Sequence, residues 1–167
     1  MRGTRFTGPV RAGLFCTALI LTPSCSDMLG PPWLQLPETA HLSINARTEM
    51  SHPARFVLQD SLSWPADWLA LFPDPAFAPP APQVDFSREM VIVAALGMRP
   101  TSGYAIRVEA AGVLDGAYRI FVRTTSPGRN CFVLQSYTYP IDIVRVPRVV
   151  ATVQFRERHD IRDCSAW

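Results

Sequence analysis

From Val84 onward, apolar and polar positions alternate in short runs, the signature of strands half-buried in a sheet. Met90–Leu96, MVIVAAL, is apolar at every position, which predicts a central strand covered on both faces. In YAIRVEA, Tyr104, Ile106 and Val108 share one face and Arg107 and Glu109 the other. In YRIFVRT, Tyr118, Ile120 and Val122 oppose Arg119 and Arg123. Asp115-Gly116 between these runs is a hairpin signal. SPGRN breaks the chain, and FVLQSYTYPIDIVRV resumes the strand pattern, with Pro140 suited to an edge or a bend. VVATVQF closes the set. Five or six short strands with turn signals between them predict a mostly β fold: an antiparallel β-sandwich, immunoglobulin-like arrangements included, or a small barrel.

One short helix precedes the strands. In SLSWPADWLALF, Ser63 is placed to cap, and Pro65 falls in the first turn, where its missing N–H costs nothing. Pro73 and Pro75 end the run, so the helix is expected at about 64–72. Trp64 and Trp68 lie four apart on one face, an arrangement for docking the helix on the sheet. The proline-rich run to Pro82 reads as an extended linker. Upstream, residues 26–40 lack periodicity and are rich in proline, which reads as a tether.

Charge changes the reading of the N-terminus. The formal net charge is +2 over 167 residues, and every one of the 16 basic residues is arginine. Arg2, Arg5 and Arg11 precede the apolar run AGLFCTALIL; without those three, 13 arginines face 14 acids. The basicity therefore belongs to a secretory signal over 1–24, too short in its apolar part to span a bilayer. No basic patch argues for nucleic acid. Ser24-Cys25 resembles the lipobox of bacterial lipoproteins, with Thr22 where that pattern has leucine. Cys25 is then the lipidation site, tethering the protein to a membrane by lipid. The organisation expected is a signal peptide at 1–24, a proline-rich tether and lead-in at 25–53, and a β domain at 54–167. An exported chain permits a disulfide, and Cys131 and Cys164 are the pair that remains.

Candidate chemistry is sparse. His41, His52 and His159 are scattered, and no CxxC or HxxxH spacing exists, so no metal site is expected. His159 sits in the charged stretch FRERHDIRD, and Ser102-Gly103 lacks the glycine that precedes the serine of a nucleophile elbow. No glycine-rich phosphate loop is present. No catalytic residue and no cofactor are assigned.

A set of ordered motifs in the C-terminal half carries a family resemblance. These are Asp85-Phe86, Leu96-Gly97, Pro100-Thr101-Ser102-Gly103-Tyr104, Ser126-Pro127-Gly128, Gln135 to Tyr139-Pro140, and Val146-Pro147. Together, over about 84–157, they resemble the C-terminal domain of the PrcB family of protease complex subunits. Ser102 stands where the commonest turn has a second glycine. The resemblance implies a β-rich, non-catalytic lipoprotein domain that binds and stabilises a secreted protease. RPTSGY at Arg99–Tyr104 is also similar, at four of six positions, to a contact loop of chagasin-like cysteine protease inhibitors. The inhibitors' second contact loop has no counterpart.

The turn Arg99, Pro100, Thr101, Ser102, Gly103 and Tyr104 is the candidate partner-binding site. Pro100 limits the entropy lost on ordering, and Gly103 permits backbone geometry other residues resist. Alternation places Tyr104 toward the core, leaving Arg99, Thr101 and Ser102 as the contact surface. The expected function is an envelope-tethered binding domain for a protein partner, a secreted protease in the family reading. An inhibitor acting through the same turn and a structural envelope lipoprotein are the alternatives.

Overall fold

The computed structural model describes residues 33–42, 48 and 50–165. The segment read as a signal peptide and Cys25 lie outside them. Among the described residues seven strands form two sheets. The four-stranded sheet has the order β1 (Trp33–Gln35), β4 (Ala105–Leu114), β5 (Ala117–Pro127), β7 (Val153–Arg162). The three-stranded sheet has the order β2 (Ala54–Leu58), β3 (Glu89–Ala95), β6 (Ile141–Pro147). The sheets face each other as an open sandwich, and no barrel closes.

The apolar run at Met90 behaves as its composition dictates. β3 is the central strand of its sheet, antiparallel to both neighbours, and Met90 to Ala95 are all fully buried. Its even-numbered residues Met90, Ile92 and Ala94 join Ile106, Val108, Ile120, Val122 and Val144 between the sheets. Its odd-numbered residues Val91 and Val93 join Ile143 under a second layer made by the helix and the proline-rich chain. β4 and β5 meet through Asp115 and Gly116, both at positive φ, which closes the expected two-residue hairpin. A bulge at Glu109 shifts the register between Val108 and Ala110, so Ala110 and Ala111 are both buried.

Helix α1 runs Trp64–Leu69, shorter than the expected 64–72. Phe72 precedes a proline, which disfavours helical backbone there. The chain tightens instead, with Leu71 N–H on Trp68 C=O and Phe72 N–H on Leu69 C=O, and drops both side chains into the core. Ser63 does not cap: its backbone is already helical, and its hydroxyl donates to Asp67 at 2.7 Å. Asp60 organises the helix start, accepting from the N–H groups of Leu62 and Trp64. Trp64 and Trp68 dock the helix on the sheet as expected, their rings 5.4 Å apart. Their indole N–H groups donate to Pro82 C=O and Pro79 C=O, so the proline-rich run serves as acceptor chain and packed cover for the core.

Three elements depart from the reading of the strands. β1 arises within the segment read as tether and pairs with β4. β2, ARFVL, is a strand the alternation did not single out. β7 extends through the charged stretch to Arg162 and pairs with β5 in parallel, not antiparallel. The parallel pairing follows from connectivity. After β5 the chain crosses to the other sheet as β6 and returns to start β7 beside the start of β5, with Val153 opposite Tyr118.

Candidate functional site

The turn at 97–104 joins the two sheets, from the end of β3 to the start of β4. Gly97, at φ +78°, is buried, and a Cβ there would lie 2.8 Å from Pro53 N. Only glycine fits where the lead-in to β2 crosses the turn. Gly103, at φ +90°, lies against Pro127 and Val133. Local sequence thus fixes both ends of the turn.

Its polar tip is not free. Arg99 exchanges two backbone hydrogen bonds with Thr138, at 2.8 and 2.9 Å. The Arg99 guanidinium donates to Leu96 C=O at 2.8 Å and stacks 5.8 Å from the centre of the Tyr104 ring. Ser102 donates its N–H to Leu134 C=O and accepts the Leu134 N–H on Oγ. Thr138 Oγ1 donates to Thr101 C=O. Residues 134–138 therefore lie across the turn like a strap. The segment read as the first part of a strand, FVLQSYTY, is this strap, and the regular strand begins only after Pro140, at Ile141.

Tyr104 packs against the core between the sheets, as the alternation predicts. Arg99, Thr101 and Ser102, expected as the contact surface, hold the strap instead, while Pro100 and Gly103 are exposed. Beside the exposed polar residues Gln135 and Ser136, the arrangement presents large apolar side chains to solvent. Phe132 is 93% exposed, Leu134 61%, Tyr137 61% and Met98 46%. Met98 stands on the turn itself; Phe132, Leu134 and Tyr137 stand on a loop fixed at one end by the Cys131–Cys164 disulfide, Cα–Cα 5.0 Å, and at the other by the bonds to Ser102 and Arg99. Burying such side chains against a partner is favourable at about 25 cal/mol per Å2, and a pre-ordered loop loses little entropy in doing so. Asp163, immediately before Cys164, has its carboxyl held below the usual range by the Ser165 hydroxyl and N–H.

Beside the turn a cleft of about 520 Å3 opens between the sheets, lined by Pro53, Leu96, Arg99, Tyr104, Thr124 and His159 among others. Arg55 on β2 and Glu157 on β7 bridge the sheets along it through two contacts, 2.7 and 3.2 Å. His159, expected in a charged tail, lies on β7 with its ring nitrogens 3.0 Å from Thr124 Oγ1 and 3.2 Å from Ser126 Oγ. Both nitrogens thus meet hydroxyls, and among the described residues no carboxylate hydrogen-bonds the ring as the orienting group of a nucleophile–base pair would. The parallel placement of β7 brings these groups together, and nothing in the local pattern signals it. Among the described residues no group of three or more His, Cys, Asp or Glu could hold a metal ion.

Residues 90–147 match the family model described as PrcB C-terminal. The match runs from the start of β3 through the turn, the hairpin, the strap and β6. This segment is thus similar to the PrcB C-terminal family, as the ordered motifs that fall within it implied. No curated protein and no solved structure matches the chain.

Proposed function

We propose that this chain, through its PrcB C-terminal-like segment, is a non-catalytic binding subunit of a protease complex, held at the bacterial envelope by lipid on Cys25. The observation that carries the reading is the loop displaying Phe132, Leu134 and Tyr137 over the turn that bears Met98, all within the matched segment. Large apolar side chains held outward on a rigid loop are what a partner's surface buries at the centre of an interface. The turn Arg99–Tyr104 acts beneath them as support, and Pro100 lies at the exposed edge.

Binding without inhibition is the favoured form. An inhibitor acting through Thr101 and Ser102 would need their polar groups for the target, and Leu134 and Thr138 already occupy Ser102 and the Thr101 carbonyl. The test is binding of the mature protein to purified secreted proteases of the cell that makes it. Phe132→Ser with Tyr137→Ser should weaken binding at least about thirtyfold, a loss of about 2 kcal/mol. The melting temperature should stay unchanged, because both side chains are exposed. Retained affinity in that variant, or loss of protease activity on binding, overturns the proposal.

A further inference from the structure

We propose that the outer edge of β7 is a strand-addition site for an extended acidic segment of another protein. Among the described residues β7 is the last strand of the four-stranded sheet, and its ten residues pair with β5 on one side only. Arg162 C=O accepts from Gly128 N–H at 2.9 Å, and Arg158 C=O faces the Thr124 hydroxyl. The even-numbered backbone groups therefore turn toward β5. Strand periodicity then turns the N–H and C=O groups of Phe155, Glu157, His159 and Ile161 to the open edge. Such a row is a template for another strand unless something covers it or blunts it.

The side chains decide which strand. Arg156, Arg158, Asp160 and Arg162 occupy alternate positions, on the face away from the core that Val153 and Phe155 join. Asp160 is 3.1 Å from Arg158 and 4.0 Å from Arg123. Arg156 and Arg162 are exposed and have no ion-pair partner among the described residues. A second copy of β7 would bring more uncompensated arginines to the same face, and like charges on adjacent strands repel. An incoming strand with Asp or Glu at alternate positions gains ladder bonds and charge pairs together. This site is separate from the Phe132 surface and does not depend on it.

The probe is a peptide as long as β7 with Glu and Thr alternating, compared with a Lys–Thr peptide and with an acidic peptide N-methylated at alternate residues. The expected result is binding of the first alone, with the amides of 155, 157, 159 and 161 newly protected from exchange. Arg156→Glu with Arg162→Glu should weaken that binding about tenfold and leave the melting temperature unchanged. Failure of the Glu–Thr peptide to bind, protection elsewhere on the fold, or equal binding of the N-methylated peptide would each overturn the proposal. So would dimerisation of the unmodified protein through β7.

Discussion

Replacing both cysteines, Cys131→Ala with Cys164→Ala, tests what holds the apolar loop in place. The bridge closes a loop with a sequence separation of 33 and ties the end of β7 to the chain leaving β5. Chain entropy for a loop of that length assigns it about 4 kcal/mol, by restricting the unfolded state. With a urea dependence of about 2 kcal/mol per M, the midpoint should fall by about 2 M. Locally, the consequences should divide within a few residues. Cys131 N–H bonds to Gly128 C=O, close to the bridge, so the amides of 131–133 should exchange faster. Leu134 and Thr138 donate to Ser102 and Arg99, across the turn, and should keep their protection. Urea unfolding gives the first number and amide exchange the second. A midpoint shift under about 0.5 M, or loss of protection at Leu134 and Thr138, would refute the reasoning, because the strap would then owe its position to the disulfide alone.

Gly97→Ala should cost at least about 2 kcal/mol in thermal or urea unfolding, because it adds positive-φ strain to a contact with the Pro53 backbone. Glu38 is fully exposed, and its carboxyl is held below the usual range first by the hydrogen bond from Arg107 and then by that arginine's charge. A depressed carboxyl favours the folded state above its unfolded pKa and loses that advantage as pH falls through its folded pKa. An NMR titration should place Glu38 below the ordinary glutamate range, and Arg107→Gln should raise it; an unchanged titration would show that the pair does not form in solution.

The sandwich was legible where burial alone dictates pattern. Met90–Leu96 reads as two-sided because it is covered by Val108 and Ile120 of the facing sheet on one side and by Trp68 on the other. The Asp115-Gly116 hairpin and the Trp64–Trp68 docking are local, and local sequence carries them. β7 was not legible past Phe155 because an edge strand with polar residues on both faces carries no alternation of hydrophobicity. Its parallel pairing depends on the crossover through β6, which no local pattern encodes. The turn at 97–104 was visible through its glycines and proline. Its role as the foundation of the site was not, because the bonds that occupy Arg99 and Ser102 come from residues more than thirty positions away. The exposed Phe132, Leu134 and Tyr137 looked like strand residues for the same reason. Whether an apolar side chain faces core or solvent is settled by what lies across the turn.

The central claim is that the loop at 131–138 meets a protein of a protease complex. Photo-crosslinking in cells from a reactive residue at Phe132, with Phe77 on the helix side as the 81% exposed control, tests it directly. The account predicts a crosslink from 132 to a secreted protease and none from 77. Crosslinks from 77 alone, or equal yields from both positions, would contradict it.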